Sequence, residues 1–289
     1  MRRLHVLLFL TGLYFSLAVS AAELPKLWTA EEGFERPESV YYYPETQLLF
    51  VSNIAGNPAQ KDGTGWISKL NIDGKVLEAK WVDGLDAPKG IRSFKGMLWV
   101  SNIDEIIGIE IATGKIVHRV TVPGVKFLND VAIGADGTVY VSEFAQNKII
   151  QLKDGKVSVF AEGPKLENPN GLIVDGNKLI VGAWGKPEPD FTTKVPGHLF
   201  SLDLNTGKKT LITPEPIANM DGVELDGTDG YIVTDWFSGK VLHISSGGET
   251  ELVGWFGKGI ADHAYIPEKN LLILPHMLEN RVSGYKLKK

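Results

Sequence analysis

The amino-acid sequence predicts an all-β fold, a six-bladed β-propeller of four-stranded antiparallel blades whose N-terminal strand completes the last blade. Three observations predict it: a strand motif that recurs six times, a glycine turn that recurs with it, and no amphipathic helix between them. The strand motif reads LLFVSN at 48–53, MLWVSN at 97–102, TVYVSE at 138–143, KLIVGA at 178–183, GYIVTD at 230–235 and LLILPH at 271–276. Each copy is short and rich in β-branched and aromatic residues, which suit a pleated backbone. Their starts lie 49, 41, 40, 52 and 41 residues apart, the spacing of a propeller blade.

The glycine turns lie in NIDGKVLE, IATGKIVH, LKDGKVSV, LNTGKKTL and SSGGETEL, with Gly74, Gly114, Gly155, Gly207 and Gly248 at their centres. A tight hairpin needs positive φ, and glycine supplies it. The TGK pieces are not phosphate loops, because Ile109 and Leu202 stand where the first glycine of that motif belongs. Between these landmarks each unit divides into four strands, as in GLIVD, KLIVGA, HLFSLD and KKTLIT. A doubly wound α/β chain would need helical patterns of ten or more residues there. The sixth unit supplies only HAYIP, LLILPH and RVSGYKL. KLWTAEEGFERPESV has the layout of KVSVFAEGPKLENPNGL, so the N-terminal strand is expected to fill the last blade and leave no open edge.

Residues 1–22 have the layout of a signal peptide: basic MRR, apolar LHVLLFLTGLYFSLAV, then small residues in SAAELP. Residues 23–289 read as a single domain that works in the periplasm or is secreted, with no membrane span after cleavage. The chain has no cysteine, which excludes disulfides and thiolate metal sites. Loss of Arg2 and Arg3 leaves 28 basic against 35 acidic residues, a net of −7. That balance speaks against nucleic acid and anionic lipid as partners and leaves a small molecule or a protein.

Aligned on their first strands, the units place Glu38, Lys89, Asn129, Asn170, Asp221 and Asp262 in one column. The first strand of a blade lines the central channel, so these side chains are expected to converge at its mouth. Glu38, Asn129, Asn170 and Asp221 offer oxygen, which suits a hard divalent cation, Ca²⁺ foremost; zinc would ask for nitrogen or sulfur. Asn-Gly and Asp-Gly also make turns. Recurrence at equivalent positions, and Glu38 in a sequence with no turn signal, favour the ligand reading. Lys89 opposes it, since an ammonium in the ring repels a cation. It either leans outward to orient an anionic substrate or pairs with Glu38 in place of a metal.

Two enlarged loops, NIAGNPAQKDGTGW and AWGKPEPDFTTKVPGHL, follow second strands and are expected at the same mouth. Asn53, Asn102, Glu143, Asp235 and His276 are expected to face it. His263 and His276 form the expected acid–base pair, against a purely structural hydrogen-bonding role. The tryptophans read as packing. Neither a Gly-x-Ser-x-Gly elbow nor a His-Glu-x-x-His pair occurs.

Pro169-Asn170-Gly171-Leu172, Asp221-Gly222, Asn129-Asp130 and the early Glu38 resemble the motifs of the regucalcin-type gluconolactonase family, related in fold to diisopropyl fluorophosphatase and the paraoxonases. The resemblance implies a divalent ion in the channel, held by a Glu and a set of Asn and Asp residues. Two positions depart from it: Glu38-Ser39-Val40 stands for Glu-Gly-Pro, and Phe127 stands for an Arg that contacts sugar. The expected function is therefore metal-dependent hydrolysis of a lactone or related ester. Asp221 or a histidine would position water, with Lys89, Phe127, Asp130 and Asp262 around the substrate. The alternative is a non-enzymatic propeller that binds a ligand or a protein partner at its mouth.

Overall fold

The computed structural model describes residues 24–287; the expected signal peptide lies outside them. Six four-stranded sheets follow one another along the chain, each strand antiparallel to its neighbour. Blade 1 comprises Pro37–Tyr43, Leu48–Asn53, Gly65–Asn71 and Val76–Leu85. Blade 6 has three late strands, Ala264–Ile266, Leu271–His276 and Arg281–Lys286, and takes its fourth, Lys26–Ala30, from the N-terminal end. Trp28, Thr29 and Ala30 pair with Gly284, Ser283 and Val282 across this seam. Two glycines make room for the Trp28 indole there: a Cβ on Gly284 would lie 2.4 Å from Trp28, and one on Gly74 2.3 Å from it. Among the described residues no helix is long and apolar enough to cross a membrane.

The hydrophobic core lies between neighbouring blades. Val40, Leu49, Val51 and Leu70 of blade 1 pack on Ala264, Ile266, Leu271, Ile273 and Val282 of blade 6. Each such large side chain contributes roughly 1.5–3 kcal/mol by leaving water. With the apolar residues consumed between the sheets, the first strands are free to present polar residues to the channel.

The polar residues that end the second strands turn away from the mouth and hold the loops. Asn102 Oδ1 accepts from the backbone N–H of Asp86 and Ala87, both at 3.0 Å. Glu143 Oε1 accepts from Lys126 and Phe127 at 3.0 and 2.9 Å. Asp235 Oδ1 accepts from Phe237 and Ser238 at 3.0 Å, and Asn53 Oδ1 accepts from Glu35 at 3.2 Å. A buried backbone N–H left unpaired is costly, and this column supplies the acceptors. None of the four lines the cavity in the channel mouth.

Candidate functional site

The ring forms because five first strands carry a register shift at the same place. Strand pairing begins at Pro37↔Asn53, Pro88↔Asn102, Leu128↔Glu143, Pro169↔Ala183 and Met220↔Asp235, and slips immediately afterwards. A bulge of this kind re-aims a side chain. The residue it re-aims is Glu38, Lys89, Asn129, Asn170 or Asp221, and all five line one open-mouthed cavity of about 200 Å³.

The sixth position corrects the sequence alignment. Ile260 pairs with His276 as Pro37 does with Asn53, and Ala264 pairs with Ile273 as Tyr41 does with Phe50. Counting from either end puts Ala261 beside Glu38 and moves Asp262 one level deeper, beside Ser39. The backbone agrees: Val40 N–H donates to Asp262 O at 3.0 Å and Asp262 N–H to Glu38 O at 2.9 Å. Asp262 does not line the cavity, nor does Asp130.

In the upper ring, Asn129 Nδ2 donates to Asn170 Oδ1, and Asn170 Nδ2 donates to Asp221 Oδ1 at 3.3 Å and to Met220 O at 3.1 Å. Glu38 Oε2 is buried with no hydrogen-bond partner. Burial raises the Glu38 carboxyl well above its ordinary range, Asp221 adds to this, and Lys89 opposes it. Asp221 is raised too, by burial first and Asp262 second. Lys89 is 1% exposed; its ammonium donates to Pro58 O at 3.2 Å and Ala87 O at 3.1 Å and lies 4.4 Å from the Phe127 ring centroid. Burial lowers it to about 8 against the pull of Glu38. It makes no ion pair with Glu38 within 4 Å among the described residues, so the lysine leans outward.

Among the described residues no three His, Cys, Asp or Glu side chains cluster to hold a metal. A cation at the ring would need the amide oxygens of Asn129 and Asn170 beside the two carboxylates. That hard-oxygen set, with an orphaned carboxylate oxygen in it, fits Ca²⁺.

The lower ring holds Ser39, Gly90, Asp130, Gly171, Gly222 and Asp262. Asp130 Oδ2 accepts from Leu172 N–H at 2.6 Å and Oδ1 from Val131 N–H at 2.7 Å. Asp262 Oδ2 accepts from Ser39 Oγ at 2.6 Å and lies 3.4 Å from Arg92, which also pairs with Glu224 at 3.0 Å. The glycines admit these carboxylates: a Cβ on Gly90 would stand 2.4 Å from Asp130 Oδ1, and one on Gly222 2.7 Å from Asp262 Oδ1.

Neither candidate acid–base histidine reaches the cavity. His263 is fully buried with both ring nitrogens unpartnered, and burial followed by Arg92 lowers it to about 3. It occupies the position of Val40, Ile91, Val131, Leu172 and Val223. His276 sits in the loop-holding column, 3.4 Å from the Tyr285 hydroxyl, and burial followed by Arg281 lowers it to about 4.

An aromatic collar was not anticipated. Phe127, Phe144, Trp184, Phe191 and Trp236 line the cavity, with Ile54 and Met277. Trp184 lies 5.8 Å from Phe144, edge to face, and 5.9 Å from Trp236. Five of the seven follow directly on second strands: Ile54, Phe144, Trp184, Trp236 and Met277. The signal was in the sequence, as SNI, SEF, GAW, TDW and PHM. Phe191 comes from the second enlarged loop, whose Phe191 O accepts from Trp184 Nε1 at 3.0 Å; Pro58 comes from the first. Both long loops therefore wall the mouth.

No family model and no curated protein matches the chain. Solved structures do. A gluconolactonase from Xanthomonas campestris superposes with a TM-score of 0.69 at 15% identity, over 88% of this chain and 87% of that one. Virginiamycin B lyase from Staphylococcus aureus superposes with a TM-score of 0.64 at 15% identity, over 92% and 99%. A chain of a nidogen/laminin complex gives 0.60 at 11% identity, over 78% and 91%. The propeller is thus shared with a gluconolactonase, a lyase and a chain of the nidogen/laminin complex; at these identities the likeness is one of fold.

Proposed function

We propose that the cavity is the active site of a hydrolase acting on a lactone or related ester with the help of a divalent cation, most simply Ca²⁺, in an exported protein. The observation that carries the reading is the buried Glu38 carboxylate with an unpartnered oxygen, set with Asn129, Asn170 and Asp221 in the lining of the cavity at the channel mouth. A bound cation would supply Lewis-acid polarisation of the carbonyl. Asp221, whose proton affinity burial raises, would take a proton from water. Its Oδ1 is held in place by Asn170 Nδ2. The collar would exclude bulk water and hold the leaving side of the substrate. The gluconolactonase neighbour supports the lactone class.

A panel of lactones and esters, assayed with and without chelator on the wild type and Asp221→Asn, tests the reading. Chelator-sensitive turnover that Asp221→Asn abolishes supports it; turnover indifferent to chelator contradicts it. The second reading, a propeller that only binds at this mouth, is favoured by the distance of both histidines from the cavity. Absence of turnover across the panel would favour it.

A further inference from the structure

From the collar and Lys89 together we infer that the cavity takes an aryl-bearing carboxylic acid or its ester or lactone, rather than a polyhydroxylated one. This names the substrate class of the proposed site, and its binding component stands without the cation. The walls offer the rings of Phe144, Trp184 and Phe191, beside those of Phe127 and Trp236, which Lys89 and Lys258 overlie. Aromatic pairs at these separations favour edge-to-face and offset contacts, which a further aryl ring extends. A polyol could pair hydroxyls with the floor residues Glu38, Asn129, Asn170 and Asp221, but those turned to the collar would be buried without partners, which is unfavourable. A cavity of about 200 Å³ is of the size that admits a benzene ring, as apolar cavities of roughly 150 Å³ do.

An organic cation fits less well, because internal ammonium groups already overlie two of the cavity's rings and would repel it. Lys89 lies over Phe127 at 4.4 Å, and Lys258 lies over Phe237 at 3.9 Å and Trp236 at 5.3 Å. Lys89 is also the polar end of the recognition. An ammonium has three N–H donors; two go to Pro58 O and Ala87 O, and one remains for an oxygen of the ligand. The ligand therefore lies with its ring in the collar and its carboxyl or carbonyl oxygen toward Lys89. Hydrolysis of such an ester or lactone adds water across the acyl C–O bond: the leaving oxygen departs protonated as an alcohol (on the same molecule for a lactone), one proton is released, and the carboxylate that remains is held by the same ammonium.

Titration of intrinsic tryptophan fluorescence with 3-phenylpropanoate, its neutral amide and gluconate, in the presence of chelator, tests this without turnover. The expected result is binding of 3-phenylpropanoate at least tenfold tighter than gluconate, and tighter than the amide. Lys89→Met removes the advantage over the amide and keeps the preference for the aryl group. Phe191 is half exposed with φ +64°, a conformation that asparagine accepts. Phe191→Asn therefore folds, and it weakens 3-phenylpropanoate several-fold while leaving gluconate unchanged. Gluconate binding as tightly as 3-phenylpropanoate, or an aryl preference unmoved by Phe191→Asn, overturns the inference. Loss of chelator-sensitive turnover with the aryl preference intact would sink only the hydrolase reading.

Discussion

The channel carries two polar rings one residue apart, and they differ in what their carboxylates touch. In the lower ring Asp130 accepts two backbone N–H groups, and Asp262 Oδ2 is held by Ser39 and Arg92 while its Oδ1 is buried without a partner. In the upper ring Glu38 keeps an oxygen with no partner, and the nearest ammonium is tied to two backbone carbonyls instead. Each ring thus leaves one carboxylate oxygen unpartnered, which is unfavourable unless something binds it. They differ in access: Asp262 is tied to Ser39 and Arg92 and does not line the cavity, whereas Glu38 lines it.

The comparison breaks most severely at Arg92. It faces Glu224 at 3.0 Å and Asp262 at 3.4 Å, so Arg92→Met leaves two buried carboxylates without their cation. A loss of about 3–5 kcal/mol is expected, read by urea denaturation, and Glu224→Leu in the same chain returns part of it. Gly90→Ala comes next, because its Cβ meets Asp130 Oδ1 at 2.4 Å and the Asp130 Cα at 2.5 Å. Overpacking there costs about 1–3 kcal/mol. Ala261→Gly, the same swap reversed at the level of the upper ring, costs less.

A pH series sharpens the comparison further. His263 has a folded pKa of about 3 against an ordinary value of 6.5, so the unfolded chain takes up its proton first. Its contribution is intact above about pH 6.5 and is lost as pH falls toward 3. His263→Val restores the apolar residue of the other five blades and flattens that part of the stability profile. His276, lowered to about 4, keeps a remaining slope of the same sign. The raised carboxyls Glu38, Asp221, Asp130 and Asp262 act in the opposite direction, so the difference between wild type and His263→Val isolates the histidine. The smallest effect is expected at Glu38→Gln in chelator, where removing an unpaired buried charge leaves stability unchanged or slightly higher.

Blade count, strand order and the closing strand were legible because six copies of one strand motif recur and five of them are followed by a glycine turn. Glu38, Lys89, Asn129, Asn170 and Asp221 were legible because each stands two residues before an apolar residue of its first strand: Val40, Ile91, Val131, Leu172 and Val223. Blade 6 does not advertise its register. Ile260 stands where blades 1, 2 and 4 have proline, and Asp262 offers a plausible carboxylate one residue from the right place, so the pairing of Ile260 with His276 is what identifies Ala261. His263 and His276 looked catalytic by residue type, but burial decides their place, and periodicity does not report it for a lone histidine. The collar escaped because Ile54, Phe144, Trp184, Trp236 and Met277 share a position without sharing a residue.

The central claim, that the upper ring is a divalent-cation site, is tested most directly by thermal melting with calcium on the wild type, Glu38→Gln and Asn170→Ala. A ligand bound only by the folded chain at a hundred times its Kd stabilises by about 2.7 kcal/mol. The melting temperature of the wild type should therefore rise by several degrees, and that of either variant should not. Calcium that raises none of the three, or all three equally, would contradict the claim.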